Sequence, residues 1–154
     1  MGCNENLTKT SMQPSDRLGN ILQVDLSNGK CRYDPYPDAA ADVIGGRGFN
    51  AWFLYHHLKP GTDPLGPDNI LLFSTGLLTG SAAPCGARLH INALSPLTGI
   101  LGSSNIGGYT GAWLRSCNLA AIAVTGAAAE PVYLYVHEGG ARLVSARDLW
   151  GMDT

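Results

Sequence analysis

The stretch NILQVDLSNGKCRY, residues 20–33, sets the fold. Apolar and polar residues roughly alternate through Ile21, Leu22, Val24 and Leu26, then Cys31 and Tyr33. They flank Asn28-Gly29, a dipeptide that readily takes the positive φ angles of a tight hairpin. A second stretch, LHINALSPLTGI at 89–100, alternates similarly and turns at Pro96-Leu97-Thr98-Gly99. After each hairpin comes a glycine pair, Gly45-Gly46 or Gly107-Gly108, and then a helical stretch opening Ala51-Trp52 or Ala112-Trp113. A strand ending Thr75-Gly76 or Thr125-Gly126 closes each unit. One plan is thus spelled twice, over 25–76 and 89–126, and predicts two similar halves with one main helix each. Hairpins and single helices alternate without the strand-helix rhythm of a doubly wound parallel sheet. The expected class is therefore α+β with mixed or antiparallel sheets.

Around this frame the pattern predicts a short helical turn over 39–44 and a helix over 49–58. Phe49, Trp52, Phe53 and His56 fall at three- and four-residue spacing, and Pro60-Gly61 stops the helix. The apolar run 70–74 suits a central strand. Further strands are expected over 121–124, 132–136 and 141–144, with the last two joined at Gly139-Gly140. Residues 103–108 read as a loop leading into a helix of about ten residues. The three tryptophans are expected in the core.

Composition narrows the partners. Only 14% of the 154 residues are charged and 45% are apolar, against about 25% charged in an average soluble domain. With no apolar run near the roughly 18 residues a membrane helix needs, this implies a face covered by other protein. A net charge of -2 without a basic stripe argues against nucleic acid. Cysteines 3, 31, 85 and 117 form no Cys-x-x-Cys, and histidines 56, 57, 90 and 137 form no metal-spaced pair. Reduced thiols and a cytoplasmic location are expected. Residues 1–17 lack the regions of a signal peptide and are expected to form a flexible tail, leaving 18–154 as one domain.

Two loops could hold an anion. Residues 76–88 carry Gly76, Gly80 and Gly86, two small hydroxyl residues and Arg88, whose guanidinium offers a planar fork of donors. Composition does not separate this from a plain glycine-rich turn beside a surface arginine. Asn105 with Gly107 and Gly108 could meet a ligand or a hard cation at a helix start, or simply cap the helix. A third stretch, Gly45 to Gly48, is weak as a phosphate loop because it lacks the Gly-x-x-x-x-Gly-Lys pattern. Cys85 has no activating base in the neighbouring sequence, and His56, His57 and His90 read as packed or surface residues. No residues are expected to be catalytic.

Several ordered motifs carry a resemblance. They are residues 24–29 (VDLSNG), Gly46-Arg47-Gly48, residues 62–65 (TDPL), and Leu78-Thr79-Gly80 with Ala83-Pro84 and Arg88. Ser95 to Gly99, residues 105–109 (NIGGY) and Leu149-Trp150-Gly151 complete the set. From Leu18 to Trp150 the chain resembles the N-terminal domain of the tungsten-containing aldehyde ferredoxin oxidoreductases. The resemblance implies a base of two related halves under a tungsten bis-pterin cofactor (tungstopterin). It also implies that Arg88 contacts the pterin and that Asn105 contacts the cofactor and gives its backbone carbonyl to a magnesium ion bridging two phosphates. Gly107 and Gly108 would add backbone contacts. The complete enzyme would oxidise aldehydes to carboxylic acids with ferredoxin as acceptor, and a [4Fe-4S] cluster is expected only with further domains. Alternatives are a non-catalytic pterin-binding or docking module, or a relative acting on aromatic acyl-CoA. Leu77 and Ile106 depart from the family pattern, which has a proline and commonly a small polar residue at these places.

Overall fold

A computed structural model describes residues 18–153, so the tail expected over 1–17 lies outside the described residues. The Asn28-Gly29 hairpin joins β1 (Asn20–Asp25) to β2 (Lys30–Pro35). A 3₁₀ helix, Asp38–Val43, leads to α1, Gly46–His57. There follow β3 (Leu71–Thr75), β4 (Leu89–Leu94), β5 (Leu101–Ile106), α2 (Thr110–Ser116) and β6 (Leu119–Thr125). A separate two-stranded hairpin, β7 (Val132–His137) with β8 (Gly140–Ser145), is the last of the described elements.

Both sequence units enter one mixed six-stranded sheet in the order β2-β1-β6-β3-β4-β5. That order is unchanged in reverse when β1, β2 and β3 are exchanged for β4, β5 and β6. The directions are not: β1 runs parallel to β6, whereas β4 runs antiparallel to β3. The β6 strand, buried from Leu119 to Ala123, is central, as its unbroken apolar run requires.

The pleat of β1 sorts side chains into two cores. Ile21 turns to one face, where Phe49, Phe53 and Leu54 of α1 pack with Tyr36, Leu72 and Ala121. Leu22 and Val24 are buried in the other, with Leu89, Leu114 of α2 and Ile122, under Leu134, Val136 and Leu143 of the β7-β8 hairpin. Burial of a side chain such as Phe49, 0% exposed, stabilises the fold by about 1.5–3 kcal/mol. Its ring lies 4.6 Å from that of Tyr36 and 5.7 Å from that of Phe53. Burial also pushes the Tyr36 hydroxyl up to about 12.

Three expectations need correction. Residues 103–106 belong to β5, because the ladder to β4 holds this polar segment as an edge strand. α2 is seven residues long, and its N-cap is Tyr109 with no side-chain cap bond, so Asn105 is not a helix cap. Trp52 packs partly buried against the core. Trp113 and Trp150, at 67% and 75% exposed, lie outside it. Trp113 stacks on Tyr109 along the surface of α2, with ring centroids 6.0 Å apart.

Candidate functional site

One end of the sheet gathers the C-terminus of β3, the start of β4, the end of β5 and the first turn of α1. Two short links hold them together. Gly45 forms an isolated bridge with Gly76, and Leu77 N–H donates to the Ile44 carbonyl at 3.2 Å. The buried Ser74 hydroxyl donates to the Gly46 carbonyl at 2.9 Å, tying α1 to β3. Thr79 closes the 76–88 loop: its Oγ1 accepts from Gly76 N–H at 3.1 Å and donates to the Arg88 carbonyl at 3.3 Å. The result is a cavity of about 490 Å³ walled by Ile44 to Arg47, by Gly76 to Thr79, by Cys85 and Gly86, and by Arg88 and His90.

The β4-β5 register places His90 opposite Asn105, and directly opposed side chains on one sheet face touch. Arg88 Nη1 donates to Asn105 Oδ1 at 3.0 Å. Since a guanidinium only donates, the Asn105 oxygen must face Arg88. Its amide nitrogen then packs against the His90 imidazole, 3.1 Å from each ring nitrogen. Gly107 flanks the same guanidinium, where a Cβ would stand 3.7 Å from Arg88 Nη1. Gly108, at φ 104°, has open space beside it. Asn105, Gly107 and Gly108 lie on the outer flank of Arg88 and are not among the cavity walls.

Beneath them, the backbone of β4 is anchored to α1 through buried Asn50. Its Nδ2 donates to Asn92 Oδ1 at 2.8 Å and to the His90 carbonyl at 3.3 Å. His90 is not the plain packed or surface histidine expected from sequence, since it lines the cavity. Burial, then the charges of Arg47 and Arg88, hold its pKa below the ordinary histidine value, so the imidazole is held neutral near pH 7.

The structure places Arg88, Asn105 and Gly107 side by side and adds Arg47 and His90, which the sequence does not single out. The signal for Arg47 is the segment Gly45-Gly46-Arg47-Gly48, which is glycine-rich but carries no nucleotide pattern. The packing of α1 on β3 and β4 brings that segment to the same cavity. No Asp or Glu lines the walls, and among the described residues no group of three or more His, Cys, Asp or Glu could hold a metal. This donor set can orient an anion.

A larger cavity of about 570 Å³ opens at the opposite end of the sheet, between Asp25, His57, Lys59, Asp68 and Gly126. It is a weaker candidate: it mixes both charges, and Asp25 is already engaged by Ser27 and Asn28 in the hairpin turn. No helix among the described residues is long and apolar enough to cross a membrane.

A mixed sheet flanked by helices, with a carboxylate-free, arginine-lined cradle at one end, defines an α+β module. The chain belongs to the aldehyde ferredoxin oxidoreductase N-terminal domain family, whose model matches residues 21–154. It is 40% identical over 134 residues to tungsten-containing aldehyde ferredoxin oxidoreductases of Pyrococcus abyssi and Pyrococcus horikoshii, a match covering 86% of this chain and 22% of each relative. It therefore spans about a fifth of their length. The active site complex BamBC of benzoyl coenzyme A reductase, solved with 1,5-dienoyl-CoA, superposes with a TM-score of 0.84 at 30% identity. That superposition covers 87% of this chain and 21% of the other.

Proposed function

We propose that this chain forms the floor of a tungsten or molybdenum bis-pterin site and is non-catalytic by itself. The observation that carries the reading is the 3.0 Å bond from Arg88 to Asn105 beside a cavity without carboxylates. The residues suit the group: guanidinium donors match phosphate or a heterocycle edge, and the bare flank at Gly107 leaves room for close approach. In this reading Arg88 contacts the pterin, Asn105 orients Arg88 and offers its backbone carbonyl to magnesium, and Gly107 and Gly108 add backbone contacts. The bound metal would supply the redox chemistry, while this chain binds, orients and supplies positive charge.

Two complete reactions fit such a floor. Oxidation of aldehydes to carboxylic acids with ferredoxin as acceptor is supported by the two Pyrococcus relatives. Action on an aromatic acyl-CoA is supported by the benzoyl coenzyme A reductase complex. Both place the substrate pocket and a [4Fe-4S] cluster on other domains or a partner subunit, which would cover the exposed Tyr109 and Trp113. A cytoplasmic setting accords with Cys31, Cys85 and Cys117 as free thiols.

The test is Arg88→Ala in the complete protein, with tungsten and molybdenum measured by elemental analysis and pterin by fluorescence after oxidative release. Occupancy should fall about tenfold or more, the scale of a charge-assisted contact. Unchanged metal content would refute the assignment.

A further inference from the structure

Arg47 projects from the first turn of α1 and lines the cavity that Arg88 lines from the start of β4. Among the described residues it has no ion pair or side-chain hydrogen bond partner, and Arg88 has only its bond to neutral Asn105. The walls contain no carboxylate. Both guanidiniums act on His90, which lies on the same wall and is held neutral, so no third positive charge enters. Two unneutralised cations on one concave surface repel each other across a space that excludes part of the solvent. An anion between them removes that repulsion.

We propose that Arg47 is the second cation of the site, and that Arg47 and Arg88 together grip one phosphate or diphosphate group. Each guanidinium presents a planar fork of N–H donors matched to two phosphate oxygens. Arg88 keeps donors to spare after bonding Asn105. The first turn of α1 has no side-chain cap hydrogen bond, and its residues Gly46 and Arg47 line the same cavity. Thr79, another polar side chain of the wall, offers no competing negative charge. The proposal rests on the cofactor reading above for the identity of the phosphate's owner.

The experiment is calorimetric titration of the full chain with inorganic pyrophosphate and with inorganic phosphate. Variants are Arg47→Ala, Arg47→Gln, Arg88→Ala and Arg142→Ala. The last is a distant control, whose guanidinium lies over the Tyr135 ring. Pyrophosphate should bind more tightly than phosphate. Arg47→Ala and Arg88→Ala should each weaken it about tenfold or more, while Arg142→Ala stays within about twofold. Arg47→Gln keeps the helix propensity and most of the side-chain length, so an equal loss there ties the effect to charge even if Arg47→Ala perturbs folding.

Failure of pyrophosphate to bind the unsubstituted chain, or an Arg47→Gln variant that binds like it, overturns the proposal. The cofactor reading fails separately. Pyrophosphate binding that needs Arg47, in a protein whose tungsten content ignores Arg88, would leave an anion site without a pterin. Tungsten loss with Arg88→Ala but pyrophosphate binding indifferent to Arg47 would leave the pterin floor and remove Arg47 from it.

Discussion

Gly45→Ala is the sharpest perturbation of the cradle. Gly45 stands at φ 85° and ψ -166°, a region that side-chain-bearing residues enter at a cost of about 1–3 kcal/mol. A Cβ there would overlap the Thr75 carbonyl oxygen and lie 3.3 Å from Gly76 Cα. Both obstacles are backbone, so no rotamer change relieves them. Overpacking of this kind adds about 1–3 kcal/mol. The sum is about 4 kcal/mol, a large part of the roughly 5–15 kcal/mol that holds a domain together.

Gly29→Ala is the matched control. Its φ is also positive, 66°, but nothing lies within 4 Å of the added methyl, so only a backbone cost of about 1–2 kcal/mol applies. With a urea m-value of about 2 kcal/mol/M, the two unfolding midpoints, followed by circular dichroism, should differ by about 1–1.5 M. Coinciding midpoints would show that the Gly45-Gly76 bridge yields freely and that close backbone contact does not fix the cradle.

Asp25 gives a pH prediction of known sign. Its carboxylate accepts from Asn28 Nδ2 at 2.5 Å and from the backbone N–H groups of Asn28 and Ser27, and these bonds, the Asn28 side chain first, hold its pKa below 3.8. The contribution to stability is complete above the unfolded-state value and is lost as pH falls through the lower folded one. Asn28→Ala should therefore lose less stability than the unsubstituted chain between about pH 5 and about pH 2 in urea titrations; equal losses would refute the attribution. Among the described cysteines, Cys85 is exposed and should react first with a thiol-specific reagent, while burial pushes the Cys31 thiol up and slows it. Peptide mapping showing Cys31 modified first would contradict the burial described. A cradle that holds pyrophosphate should also slow alkylation of Cys85, which sits in its wall; an unchanged rate would place the ligand elsewhere.

The turn at Asn28-Gly29, the short 3₁₀ helix, α1 and the β7-β8 hairpin were legible because each depends on residues close in sequence: turn chemistry, three- and four-residue spacing, and alternation. The motifs at Arg88 and Asn105 were likewise written in the chain. The tertiary structure alone decided how those pieces meet. The polar segment LGSSNI becomes a strand through its ladder to β4, which no side-chain periodicity announces. One register choice sets His90 opposite Asn105 and so brings Asn105 to Arg88. Arg47 reaches the same wall only because α1 packs across β3 and β4 and Gly45 bridges Gly76. Local sequence fixes the conformation of short segments. Strand order, register and helix placement follow from burial and backbone hydrogen bonds between residues far apart in the chain, and those interactions build the cradle.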